Sequence, residues 1–376
     1  MYIVVTEKEI EYLNNLYQDR VVYHGEMHDH ACTGGTSDGK HTLEQWKGAM
    51  DALKVDFAAI LDHRQVRHMY LPAFEDGLFI CGTEPAALIT DSNAEYKWIH
   101  YNLIVPNPKA LENILNEFTE YEFTGGKEGH FKYAEFSLKR FRELIASLKA
   151  CGGFFVHPHP ALIMKSDNAL DYWFSDETGF EVFYYNTDNE MTHKNYELWV
   201  DILSKGKRIW AIAGGDGHSC CSDGALTTIY AQERSSVGLL RFLRVGDFVC
   251  GAVGIRMCIG NQSMGGVCSF KDKRLIVSVG DFHKSVLFLD HDYRMDILDD
   301  KGVVFSSPVA VEKTYHPVVF KNGSIKGVDK ITVKDCYFAI DVDDNATFYR
   351  AEIFDETKNV RIAIGNPIWN ERFIVK

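Results

Sequence analysis

At 376 residues the chain is long for one domain; at roughly 150 residues per domain, two are expected, or one large barrel with an appendage. Its 46% hydrophobic and 25% charged residues supply a sizeable core and exclude a disordered chain. Forty Lys and Arg against 53 Asp and Glu leave a formal net charge of −13. Such a charge repels a phosphate backbone at long range and argues against extended nucleic-acid binding, although a local pocket holding cations could still take a phosphate.

The opening segment, MYIVVTEKEIEYLNN, has neither a basic start nor a long apolar run, so no signal peptide is expected. No stretch reaches the roughly 18 apolar residues of a membrane span. Nine scattered cysteines with no CxxC pair fit buried thiols in a reducing compartment, and the expected location is cytoplasmic. Up to about residue 246, short apolar runs alternate with amphipathic segments. Strands are expected at 20–27, 57–61, 78–82, 98–105, 153–156, 179–185, 208–213 and 225–231. Helices are expected at 43–54, 110–118, 137–150, 195–205 and 236–245. Within 137–150, Leu138, Phe141, Ile145 and Leu148 recur at spacings of three and four and form one apolar stripe. This alternation defines an α/β fold built on a parallel sheet, and periodicity does not separate an open sheet from a closed barrel. After residue 250 helical periodicity disappears. RLIVSVG, SVLFLD, GVVFSS, YFAIDV and TFYRAEIFD read as short strands between turns such as Asp299–Gly302 and Lys321–Gly323, and an antiparallel β-sandwich is expected. The expected division is 1–246 and 247–376.

Twelve of the fifteen histidines lie before residue 219. His28 and His30 close the first strand, and in an extended chain residues two apart face one side, so both can meet one metal ion. The strand 57–61 runs into Asp62 and His63, 78–82 into Thr83 and Glu84, 153–156 into His157 and His159, and 208–213 into Asp216 and His218. Five strands thus deliver a His, Asp or Glu at or just past the carboxyl end, where ligands collect in parallel α/β folds. Imidazole and carboxylate without thiolate suit Zn, Mn or Fe in an open catalytic site. The candidates outnumber the ligands of one ion, so two or three divalent ions are expected.

HGEMHDH…TSDG, LDH, GTE, FVHPHP and GGDGH, in this order, resemble the motifs of the PHP (polymerase and histidinol phosphatase) family of metal-dependent hydrolases over about residues 20–246. The resemblance implies a distorted (β/α)₇ TIM-like barrel with a di- or trinuclear centre. It implies a first ion on His28, His30, Glu84 and Asp216, a second on Glu84, His100 and His157, and a third on Asp38, His63 and His218. Asp38 stands where the family more often has His. The β-rich tail is similar to that of a PHP subgroup of predicted phosphoesterases.

The expected function is hydrolysis of a small phosphate ester by a metal-bound hydroxide, with a small anionic substrate as partner. His159, read as competing with His157 for the metal, is a candidate proton donor, and Arg64 a contact for the anion. Glu26 is a candidate support beneath His28, and the adjacent Cys220 and Cys221 are left out as poor joint ligands. Amide, carbamate or carboxylic ester hydrolysis by the same metal cage, and a non-enzymatic metal-dependent binding protein, are the alternatives.

Overall fold

The computed structural model describes residues 5–220, 225–288, 290–319, 325–333 and 336–374, with 313–319 and 325–333 as backbone. The turn expected at Lys321–Gly323 and the position of Cys221 lie outside the described residues. The fold is mixed α/β, with seven α-helices among the described residues.

Six of the seven described α-helices begin at a residue whose side chain accepts from an N–H of the first turn; the short Pro160–Ile163 does not. Ser137 caps Leu138–Ala150, and Thr42 caps Leu43–Leu53 in a reciprocal box with Gln45. In Leu138–Ala150 three residues of the expected stripe, Phe141, Ile145 and Leu148, are at 0% exposure, Leu138 is half-buried, and Leu144, not in the expected stripe, is also at 0%. Each fully buried side chain contributes about 1.5–3 kcal/mol of burial. None of the described helices is long and apolar enough to cross a membrane.

Two sheets frame the first part. One orders Ile209–Gly214, Thr178–Tyr184, Phe154–His157, Asn102–Ile104 and Gly82–Thr83. The other, of eleven strands, contains Phe79–Ile80, Phe57–Ile60, Val21–Asp29, Thr227–Ala231 and Phe248–Gly251 as neighbours. Among the described residues the sheets do not join into one closed ladder, so the α/β character expected is present while closure into a distorted TIM-like barrel is not shown. Among the described residues the two sheets share no ladder, and just past their strand ends isolated bridges join Asp29 to Gly217 and His63 to Glu84. Where a ladder would otherwise run, side chains stand in. The Thr227 hydroxyl lies 3.1 Å from both the N–H and the carbonyl oxygen of Ala213. The Asn366 amide accepts from Ala211 N–H at 2.7 Å and donates to the carbonyls of Ala211 (3.3 Å) and Phe248 (3.1 Å). Buried backbone groups must be paired, and these two residues complete the edge of Ile209–Gly214.

Past Leu243 the described chain has strands and short 3₁₀ turns but no α-helix. Phe248–Gly251 pairs with Thr227–Ala231 on one side and Val360–Gly365 on the other, so the large sheet continues into the C-terminal strands. Gly254–Ile259, Arg274–Gly280 and Cys336–Asp341 form a second, antiparallel sheet. Ile255 and Val277 from this sheet share one core with Met295 and Ile353 of the large one.

The residues expected as one strand at 98–105 form two. Trp98–His100 belongs to a three-stranded sheet with Ala86–Ile89 and Ala134–Phe136, and Asn102–Ile104 to the five-stranded sheet. The break falls at the fully buried Tyr101, whose N–H donates to the Pro85 carbonyl at 3.1 Å.

Candidate metal centre

The end of Val21–Asp29 and the loop after Ile209–Gly214 are locked together. His30 N–H donates to Gly217 O at 2.8 Å, and Gly217 N–H to His28 O at 3.2 Å. A Cβ at Gly217 would lie 2.4 Å from Asp29 Oδ1, so only glycine permits this approach. Asp216 has a left-handed φ of 47° and turns its carboxylate to the histidines, 3.2 Å from His30 Nε2 and 3.7 Å from His28 Nε2. Asp62 ties in the next loop: it accepts from Ala31 N–H at 2.8 Å and from the Thr33 hydroxyl, and His63 follows it.

Glu84 lies at the centre and is fully buried. Its Oε2 is 3.3 Å from His28 Nε2, 3.3 Å from His30 Nε2 and 3.1 Å from His63 Nδ1. Its Oε1 is 2.9 Å from His100 Nδ1 and 3.2 Å from His159 Nε2. Three groups of side chains could each hold an ion: His28, His30, Glu84 and Asp216; Glu84, His100 and His159; and His30, His63 and His218. Asp38 Oδ2 stands beside the last group, 3.2 Å from His218 Nε2 and 3.6 Å from His63 Nε2.

The expected ligand His157 is not in these groups, and His159 is. The resemblance matches the ligand to His157, and an extended His-Pro-His would face both imidazoles the same way. Instead the strand ends at His157, and His159 adopts a left-handed φ of 30°. His157 therefore points into the core, its ring centroid 5.3 Å from that of Phe174 and its Nδ1 3.2 Å from Tyr172 O. Burial drives its pKa down to about 3, the state of a neutral core imidazole. His159→Ala is expected to lower metal content, whereas His157→Ala should keep the metal and lose stability by about 2–5 kcal/mol, the scale of a large core truncation. Metal analysis and denaturant melts on both variants check this, and unchanged metal in His159→Ala would reverse the assignment.

The electrostatics follow from crowding bases around a few acids. Burial disfavours charge on His28, but Glu84, Glu181 and Asp216 outweigh it and lift the imidazole well above its ordinary value. His30 is likewise raised against burial, to about 9, by hydrogen bonds to Asp216 and Glu84. Burial opposes ionisation of Glu84, yet His28, His100 and His159 hold its carboxyl well below the usual range. Asp216 is held low in the same way, chiefly by His28 and His30. The site is thus a set of convergent nitrogen and oxygen donors. The buried His28 Nε2 and Glu84 Oε2 face each other at 3.3 Å without the alignment of a hydrogen bond, and that donor set fits divalent cations.

Glu181, in the strand Thr178–Tyr184, was not anticipated. It is 1% exposed; its Oε1 is 3.1 Å from His28 Nδ1, and its Oε2 accepts from His159 N–H at 2.6 Å. A carboxylate behind a ligating imidazole fixes its tautomer and leaves the other nitrogen for the metal. Acids within strands are common, and nothing in EVFYY distinguishes this one; only the register of the strand brings it behind His28. Glu181→Gln is expected to weaken metal affinity by about 10–100-fold, read by competition with a chromophoric chelator; unchanged affinity would remove the role. Tyr184, at the end of the same strand, reaches Asp216 Oδ2 with its hydroxyl at 3.2 Å.

A cavity of about 220 Å³ opens onto the cluster, lined by Thr36, Asp38, His63, Arg64, Glu84, Ala86, His100 and Tyr133. The expected anion contact Arg64 thus borders the site, its guanidinium 4.1 Å from the Tyr133 ring centroid. A larger cavity of about 890 Å³, bordered by Lys149, Cys151, Glu177, Arg241 and Arg244, shares no residue with the cluster and contains no converging ligand set among the described residues.

Fold and site together define a candidate metal centre on an α/β scaffold. Solved structures similar to the chain include a two-domain protein from Bacteroides vulgatus containing a predicted PHP-like metal-dependent phosphoesterase, 14% identical, covering 90% of this chain and 91% of that one at a TM-score of 0.41. They also include Endonuclease Q in complex with a 27-mer duplex substrate bearing an abasic lesion, 11% identical, covering 60% of this chain and 57% of that one at a TM-score of 0.41. A third is the lesion-specific Endonuclease Q from Pyrococcus furiosus, 12% identical, covering 60% and 56% at a TM-score of 0.40. No family model matches the chain, and no curated protein does. The first of these structures carries the family description that the ordered motifs resemble.

The second corrects the inference drawn from charge. The expectation that extended nucleic-acid binding is unlikely does not stand beside the finding that Endonuclease Q, among the similar structures, is in complex with a 27-mer duplex substrate. Net charge sums over the whole surface and does not fix the potential along any one face that could meet a phosphate backbone.

Proposed function

We propose that this protein is a metal-dependent phosphoesterase with a di- or trinuclear centre of Zn, Mn or Fe, carried by residues 1–246, with 247–376 as an accessory unit. The carrying observation is the approach of five imidazoles, each within 3.3 Å, to the one buried carboxylate of Glu84. A single acid flanked by so many bases is costly to bury unless cations complete it.

The proposed ligands are His28, His30, Glu84 and Asp216 for one ion, Glu84, His100 and His159 for a second, and His63 and His218 with His30 or Asp38 for a third. Ions held there would supply Lewis acidity and an activated water near neutral pH. Glu181 holds His28 in the ligating tautomer. Tyr184 donates to Asp216, and its proton is retained because burial and Asp216 push its pKa up. Arg64 forms no ion pair among the described residues and is placed to receive a phosphoryl oxygen at the cavity edge. As a ligand, His159 is no longer the proton donor of this reading.

The test is a panel of phosphate monoesters, phosphate diesters and acyl esters with protein reconstituted in Zn, Mn or Fe. Turnover of a phosphate ester that chelation abolishes is expected. Turnover of acyl esters alone would transfer the same ligands to a carbonyl hydrolase, and a chain that takes up no metal would end both readings.

A further inference from the structure

The three-stranded sheet beside the metal cluster has two unlike faces. Ile99, Ala87, Ile89, Ala134 and Phe136 point into the core and are at most 1% exposed. Side chains alternate along a strand, so Trp98, His100, Ala86, Leu88 and Glu135 share the other face. Register places His100 opposite Ala86 and Trp98 opposite Leu88. His100, at one end, reaches Glu84; Trp98, two residues back on the same strand, is 44% exposed. Tyr133, immediately before Ala134–Phe136, is 53% exposed.

These two rings are not scattered surface aromatics. Their centroids are 5.7 Å apart at an interplanar angle of 82°, which makes an open corner rather than a closed stack. Tyr133 lines the cavity that holds Glu84 and His100, and the Arg64 guanidinium lies over the Tyr133 ring. Exposing two large aromatic side chains costs the burial that each would gain in a core, and here Trp98 abuts Tyr133, which carries a guanidinium that has no ion pair among the described residues. The cavity, about 220 Å³, is smaller than the roughly 300–1,000 Å³ that encloses a drug-sized ligand. A phosphate fits inside, and the organic group attached to it must extend over the rim.

We propose that the Trp98–Tyr133 corner seats a flat ring of the substrate, so that the site takes phosphate esters whose organic group is an aryl ring or a nucleobase. This rests on the phosphoesterase reading of the same site. Trp98 and Tyr133 are specificity-determining residues: they contact the ring, while Arg64 meets the phosphate. Any base or aryl ring offers a π-face, so such a platform selects for a ring and tolerates differences among rings.

The test separates binding from turnover. With metal-loaded protein, phenylphosphonate and methylphosphonate, neither of which can be hydrolysed as an ester, are titrated calorimetrically. The wild type is expected to bind the phenyl compound about tenfold more tightly, equivalent to about 1.4 kcal/mol. In Trp98→Ala and in Tyr133→Ala the preference should shrink to about twofold, equivalent to about 0.4 kcal/mol; Trp98→Phe, which keeps a ring, should retain most of it. Metal content and melting temperature of each variant verify that the site is intact. Phenyl phosphate, a nucleoside 5′-monophosphate and ethyl phosphate are then compared by kcat/KM. Preference for the nucleotide over phenyl phosphate identifies a nucleobase as the ring, and the reverse identifies a simple aryl group. Equal binding of the two phosphonates by the wild type, or a preference that survives both alanine variants, overturns the proposal. A ring preference in binding with no ester hydrolysed overturns the phosphoesterase reading and leaves the ring seat standing.

Discussion

Glu84→Gln is expected to lose at least one metal equivalent and to cut turnover by more than about a hundredfold, the scale of removing a central electrostatic element of a site. Glu84 is the residue shared by the groups formed with His28, His30 and Asp216 and with His100 and His159. Its two oxygens face different imidazoles, Oε2 toward His28, His30 and His63 and Oε1 toward His100 and His159. The amide keeps the shape, but only its oxygen can coordinate, and it withdraws the negative charge from between the cations. The nitrogen would also stand against imidazole nitrogens that need an acceptor. If Glu84 only supported the fold through Glu84 N–H to Leu61 O at 2.9 Å, the variant would keep its metal, since that bond belongs to the backbone. Metal stoichiometry measured beside the melting temperature decides: full occupancy in Glu84→Gln would sink the bridging role.

Chelation of the wild-type protein is expected to lower its melting temperature markedly. Ions that bind the folded chain alone stabilise it by mass action, about 4 kcal/mol at a thousandfold excess over Kd. For a protein of this size the corresponding shift is about 5 °C. The source is local: without cations, Glu84 at 0% exposure and Asp216 among the imidazoles depend on shared protons for their compensation. Calorimetry before and after chelator, repeated on Glu84→Gln, checks it. A wild type whose melting is indifferent to chelator would place the ions outside the structural account, and a variant as responsive as the wild type would place them elsewhere in the chain.

The elements most legible in the sequence were those in which one signal dominated. The stripe of Leu138, Phe141, Ile145 and Leu148 is carried by the helix Leu138–Ala150, and the run 57–61 by the strand Phe57–Ile60. Helix Glu7–Leu16 was missed although its start was written in Thr6 and Glu9, which cap each other reciprocally. The helix at Glu190–Ser204 begins five residues earlier than periodicity indicates because Asn189, whose side chain accepts from Thr192 N–H at 2.9 Å, sets its start. At the site, spacing located the strand ends but not the turns after them. His157 and His159 could not be separated while the chain was taken as extended, because the left-handed φ of His159 belongs to the tertiary structure. Glu181 was invisible for the same reason: its partners are 153 and 22 residues away in the chain.

The gap between the two sheets has a consequence for anyone who would transplant this site. Asn366 comes from the far end of the chain, yet its amide completes Ala211, five residues before Asp216. It acts as a one-residue strand, and Thr227 does the same for Ala213. A graft that stops at residue 246 would carry every proposed ligand but leave Ala211 without this partner and Thr227–Ala231 without Phe248–Gly251 beside it. Such a fragment presents an apolar unpaired edge, the kind that recruits other chains. A working transplant must therefore bring the C-terminal strands with it, or supply an amide of its own where Asn366 now reaches in.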